Sequence, residues 1–186
     1  MKMKYIVMIM LATAAASMLQ GAALAQGMSA QDQIAQAVSP LPEMLRADAT
    51  VVTYNKSGDP VVLRQGSNAI VCTPNQGGTT FAVNCYQKIM RAQNDMQAKL
   101  RAEGKDGKAI QAAIQEARAS GKLPAVPVGT ATYSRLGKTD ADSRVTWRIM
   151  MPGATAESSG LPDKKGAQGE PWLQLAGTPN AHIHIK

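Results

Sequence analysis

The spacing of apolar and polar residues changes character several times along this chain, and each change marks a boundary between predicted elements. Residues 5–19 carry no charge and only Thr13 and Ser17 break their apolar run. From 28 to 38, Ile34, Ala37 and Val38 fall on one helical face, and Ser29 with Asp32 three residues on supplies a helix start. Pro40 and Pro42 end that helix, and Glu43 to Arg46 adds one turn. The period then shortens to that of strands. Thr50 to Tyr54, Val61 to Arg64 and Ala69 to Thr73 are rich in β-branched residues, and Ser57-Gly58-Asp59-Pro60 and Gly66-Ser67-Asn68 separate them, which predicts a meander.

The middle of the chain returns to a helical period. Tyr86, Ile89, Met90, Met96 and Leu100 form one stripe between 86 and 103, and Ile110, Ala113, Ile114 and Ala117 form a narrower seam between 108 and 120. Gly104 to Gly107 separates the two helices, and Gly121 with Pro124 closes the second. The charges of this pair, Arg101, Lys105, Lys108, Arg118 and Lys122, are expected on a solvated face. Strand spacing resumes at Val128 to Leu136 and at Arg144 to Met151. In the latter, Val145, Trp147 and Ile149 alternate with Thr146, Arg148 and Met150, the pattern of a half-buried strand. Residues 152–171 read as a long surface loop and Ala181 to Lys186 as a last strand. The predicted class is α+β: a single domain of antiparallel strands with a helical pair inserted between strand groups.

The beginning of the chain obeys a different logic. Lys2 and Lys4 precede the apolar run, Gln20-Gly21 follows it, and Ala23 and Ala25 stand at the spacing of a secretory cleavage site. Residues 1–25 therefore read as a cleavable signal peptide. As a permanent anchor the run is short and alanine-rich, because a span needs about 20 strongly apolar residues. No cysteine near the cut suggests a lipid anchor, and no later stretch is long or apolar enough for a second span. Removing 25 of the 186 residues leaves a mature domain of 161, residues 26–186. Five of the eleven methionines and two of the lysines leave with the signal, so the formal charge falls from +7 to +5. Six aromatics remain, a modest supply for a core: Tyr54, Phe81, Tyr86, Tyr133, Trp147 and Trp172.

Export gives the two cysteines a meaning. Cys72 and Cys85 sit in a chain bound for an oxidising compartment, with Pro74 and Gly77-Gly78 able to turn the backbone between them. A disulfide closing this loop is worth roughly 3 kcal/mol. The spacing lacks the Cys-x-x-Cys form of redox and metal pairs.

Candidate chemistry is sparse. His182 and His184, the two histidines of the chain, are two residues apart and point the same way on a strand, as a metal pair would. A metal site needs further ligands, and the sequence singles out none. No nucleophile elbow, zincin motif or phosphate loop is present, and Asp140 with Asp142 is too sparse for a calcium loop. The basic residues are dispersed with few aromatics among them, which together with export speaks against nucleic acid as a partner.

Several segments resemble a family of small exported bacterial proteins to which no activity is attached. They are Leu63-Arg64-Gln65-Gly66-Ser67-Asn68 leading to Cys72, Asn84-Cys85-Tyr86, Ala102-Glu103-Gly104-Lys105, Ala131-Thr132-Tyr133, and Pro179-Asn180-Ala181-His182-Ile183-His184. The likeness spans about residues 60–184. Ala69 stands where that family has glycine, and His184 where methionine is expected. The resemblance implies an exported single domain and no activity.

These observations lead to the expectation of a soluble periplasmic or secreted domain, non-enzymatic, that binds an envelope ligand or protein and needs no cofactor. The alternatives are a metal-binding protein or metal-dependent enzyme built on His182 and His184, and a hydrolase of envelope polymers.

Overall fold

The computed structural model describes residues 27–185. The predicted signal peptide, residues 1–25, lies outside them. The described chain folds as α+β, with helices packed on an eight-stranded sheet. The strands are β1 (Thr50–Tyr54), β2 (Pro60–Arg64), β3 (Ile70–Thr73), β4 (Phe81–Gln87), β5 (Ala131–Gly137), β6 (Arg144–Met150), β7 (Trp172–Gln174) and β8 (His182–Ile185). Their order across the sheet is β2-β1-β3-β4-β5-β6-β8-β7. The expected meander is corrected at its start. β3 crosses to the far side of β1 and pairs with it in parallel, Thr50 opposite Val71 and Val51 opposite Cys72. All other pairs are antiparallel.

The first helix, α1 (Ala30–Val38), starts as its sequence predicts: the Ser29 hydroxyl accepts from the Asp32 backbone N–H at 3.1 Å. A single turn, α2 (Glu43–Arg46), follows. α1 lies on one face of the sheet, where Ala37, Val38 and Leu41 pack with Ala49, Val51, Ile70, Cys72 and Cys85. Cys72 and Cys85 face each other across β3 and β4 and form the expected disulfide, wholly buried in this layer. Directly opposed antiparallel residues are close enough for such a bridge.

The other face carries the helical pair inserted between β4 and β5, α3 (Arg91–Ala102) and α4 (Gly107–Ala119). Ile110, Ile114 and Ala117 of the predicted seam are buried with Leu123, and Met96 and Leu100 pack against them. Asp106 caps α4 by accepting from the Ala109 N–H at 2.8 Å, and Gly121 beyond its end is left-handed, with φ 74°. Gly58, in the β1–β2 turn, meets α3 from the side. Its φ is 77°, and a Cβ there would stand 2.6 Å from the Ala98 carbonyl oxygen, so only glycine lets the turn and helix touch.

Two other expectations are corrected. Tyr86 belongs to β4 rather than to the helix, because antiparallel pairing with β3 and β5 runs to Gln87 and overrides the stripe. The helical stretch begins only with a short 3-10 turn, Lys88–Met90, before α3. β5 starts at Ala131 rather than Val128. In β6 the alternation is present, and Thr146 and Met150, each 7% exposed, face inward, whereas Val145 and Trp147 are each 42% exposed. Alternation identifies two faces, but here the face under the helical pair has the deeper cover. The segment 152–171 is a loop apart from one helical turn, α5 (Ala156–Ser159), which Thr155 and Ser158 cap reciprocally. Among the described residues no helix is long and apolar enough to cross a membrane.

Candidate functional site

The face beneath the helical pair divides into two polar regions. Pairing registers place Tyr86 opposite Thr132, Thr132 opposite Arg148 and Arg148 opposite His184, so these side chains share one face. The row ends at Trp172, opposite His184 on β7. A neighbouring row sets Met150, His182 and Gln174 side by side.

Near β1 and β4 the charged groups are paired, although the Tyr86 hydroxyl has no hydrogen-bond partner among the described residues. The Tyr54 hydroxyl donates to Asp95 Oδ1 at 2.8 Å, and Arg91 Nε donates to the same carboxylate at 2.7 and 2.9 Å. Burial, then the neighbouring Tyr86, pushes the Tyr54 hydroxyl far above its usual range, and burial also raises Tyr86. Arg91 is held charged: its hydrogen bonds and charge attraction to Asp95 outweigh the burial that opposes them. Asp95 thus balances Arg91. Nothing in this group is left poised for proton transfer.

Near β6, β7 and β8 the balance is absent. Arg148 is partly buried, its Nε finds no hydrogen-bond partner among the described residues, and desolvation lowers its pKa. Arg118, on α4, is also partly buried and lowered by desolvation. Its guanidinium donates to the side-chain oxygens of Asn180 and Gln93, both neutral, and its Nε is unpartnered. Among the described residues neither arginine meets a carboxylate; the ion pairs are Arg91–Asp95, Lys99–Asp59 and Arg135–Asp140. Arg118 does sit in the last turn of α4, where the helix dipole favours a cation by about 0.3–1 kcal/mol. That is small beside the several kcal/mol it costs to desolvate an ion. Both positions therefore carry a partly desolvated charge with no carboxylate beside it among the described residues.

The histidines stand where their spacing predicts, on one face, with ring centroids 6.3 Å apart. His182 is 8% exposed. Its Nδ1 lies 2.8 Å from the Asn180 carbonyl, which only accepts, so Nδ1 carries the proton. Its Nε2 lies 3.0 Å from the Gln174 side-chain amide, and His184 Nδ1 lies 3.2 Å from the same group. Desolvation, and then the charge of Arg148, lower the His182 pKa and keep the ring neutral. Gln174 Oε1 is the atom placed against both rings; a neutral His182 with its proton on Nδ1 offers only an acceptor at Nε2, so a hydrogen bond there needs the amide turned to present its NH2 to His182. His184 in turn stacks on Trp172, with centroids 5.7 Å apart and planes 22° apart. The pair is thus clamped by Gln174. Among the described residues no group of three His, Cys, Asp or Glu is placed to hold a metal ion.

Asn180 joins the two halves of this region, since its side chain accepts from Arg118 and its carbonyl from His182. Beside Arg118 a cleft of about 310 Å³ opens between Gln115 on α4 and the loop residues Ala125, Val126, Pro152 and Pro179. A wider hollow of about 500 Å³ lies between α1, α2 and β2 on the opposite face. Its arginines already donate to backbone carbonyls, Arg46 to Leu41 and Arg64 to Ala49, so they serve the fold.

Of these residues the sequence pointed to His182 and His184 alone. Arg118 was expected on a solvated face, and the structure corrects that. It lies four residues after Ile114 and eight after Ile110, on the edge of the apolar seam, so helical spacing did carry the signal. For Arg148, Gln174 and Asn180 no local pattern exists. Comparison of the chain with known protein families, with curated proteins and with solved structures finds no match.

Proposed function

We propose that this is an exported, periplasmic or secreted domain that binds an anionic ligand without transforming it, on the face shared by α4 and strands β6, β8 and β7. The observation that carries this reading is the pair of partly buried arginines, Arg118 and Arg148, with no carboxylate beside either among the described residues. A protein that used them only structurally would gain by pairing them, as it pairs Arg91. Binding rather than catalysis is supported by His182, whose two ring nitrogens are both engaged, by the Asn180 carbonyl and the Gln174 amide. Export is supported by the charge and apolar pattern of residues 1–25 and by the Cys72–Cys85 disulfide, a bond typical of oxidising compartments.

Cell fractionation with mass spectrometry of the N-terminus tests export: the chain should be recovered outside the cytoplasm, beginning at Gln26. An intact chain confined to the cytoplasm refutes it. Binding is tested by following backbone amide signals during titration with a panel of organic and inorganic anions. Shifts should cluster at residues 115–119, 148 and 174–184, and no shift there with any anion refutes the reading. Metal analysis of the same preparation covers the alternative on His182 and His184. Stoichiometric metal that disappears in the His182→Ala/His184→Ala variant would replace anion binding with a metal role.

A further inference from the structure

The chemistry of the cleft beside Arg118 narrows the ligand. Five N–H donors belong to a guanidinium; one on each terminal nitrogen is used, toward Asn180 and Gln93. Those two amides come from different elements, the β7–β8 loop and α3, and they fix the plane of the guanidinium without neutralising it. Three donors are left: Nε, which is closed off from solvent, and one N–H on each terminal nitrogen. Two terminal N–H groups are enough for a carboxylate in the two-toothed fashion characteristic of arginine.

The rest of the cleft is apolar. Ala119, Ala125, Val126, Pro152 and Pro179 line it, and Gln115 is the other polar side chain on its wall. Such a lining suits one negative charge at one end of a hydrocarbon body. An inorganic phosphate or sulfate would set its further oxygens beside alanine, valine and proline, which offer them no donors. The volume, about 310 Å³, is at the small end of ligand pockets and excludes long acyl chains and polymers from being enclosed.

We propose that the Arg118 cleft binds a small organic acid, a single carboxylate on a compact apolar body. The proposal rests on the reading of this face as an anion-binding surface, and it commits to the carboxylate end at Arg118 and the apolar end toward Val126 and Pro152. Arg118 supplies the charge and the fork, while Gln93 and Asn180 orient it.

Calorimetric or NMR titration of the purified protein with 4-methylpentanoate, its neutral amide, acetate and inorganic phosphate tests this. The acid should bind, with the amide and acetate each at least about tenfold weaker, a difference of about 1.4 kcal/mol. Arg118→Met should abolish acid binding. Arg118→Lys, which keeps the charge and loses the fork, should weaken it about tenfold and covers the case in which the methionine variant does not fold. Acid binding that survives both variants overturns the proposal. Phosphate binding as tightly as the acid, and depending on Arg118, also overturns it while leaving the face an anion site. If none of the four probes shifts residues 115–119 or 179–184, this ligand class falls; the wider anion panel then decides whether the surface itself does.

Discussion

Arg91 and Arg148 lie over one face of one sheet, yet they are treated in opposite ways. Arg91 is given Asp95, and Tyr54 shares the same carboxylate. Arg148, beside His182 and His184, is given no carboxylate among the described residues, and Arg118 on α4 is met by neutral amides. The first arrangement is self-contained: each charge is answered within the fold. The second stores an uncompensated positive charge at a place that is partly closed to water. A desolvated cation without a partner costs stability, so the difference separates a structural cluster from one suited to a ligand.

The comparison can be broken at several points. The largest effect is expected from the disulfide, which lies on the opposite face from both regions. The Cys72→Ala/Cys85→Ala variant should lose roughly 3 kcal/mol in urea unfolding while ligand affinity is retained. A simultaneous loss of affinity would mean that the two faces are not independent. Next, Asp95→Ala leaves Arg91 and the Tyr54 hydroxyl without their acceptor and should cost about 2 kcal/mol by the same measurement. Arg118→Met or Arg148→Met should change stability by less than about 1 kcal/mol, in either direction, because neither breaks an ion pair. A loss as large as that of Asp95→Ala would show that the arginines are structural after all.

The smallest expected effect is a pH dependence. His182 is packed against Gln174 and Asn180 and faces Arg148 on β6, His184 on its own strand and, through Asn180, Arg118 on α4. Its folded pKa lies below the ordinary 6.5, so the unfolded chain takes up the proton more readily. The stability it contributes is full above pH 6.5 and declines as pH falls from there toward the depressed folded value. Thermal midpoints measured downward from pH 7 should drop, and His182→Gln should flatten that slope. No difference between wild type and His182→Gln would place the titration elsewhere.

Much of the fold was legible because its signals are local. Ser29 with Asp32, the seam of Ile110, Ile114 and Ala117, Gly121, and the two cysteines flanking a Gly-Gly turn each act within a few residues. Tyr86 misled because one side chain satisfies a helical stripe and a strand alike, and only pairing with β3 and β5 chooses between them. The candidate site was legible only in part. The i, i+2 spacing put His182 and His184 on one face, but nothing near them in sequence announces Arg118 or Arg148.

The sequence by itself determined where helices start and stop, which cysteines are available to pair, and the alternation that sets two side chains on one face. Those properties depend on backbone geometry over one or two turns of chain. Tertiary structure alone decided that β1 and β3 run parallel, that Thr146 and Met150 rather than Val145 and Trp147 face inward, and that Arg118 meets Asn180 from 62 residues away. Above all it decided which charges are answered. A carboxylate compensates an arginine only within a few ångströms, and that distance is set by how distant elements pack rather than by any local pattern.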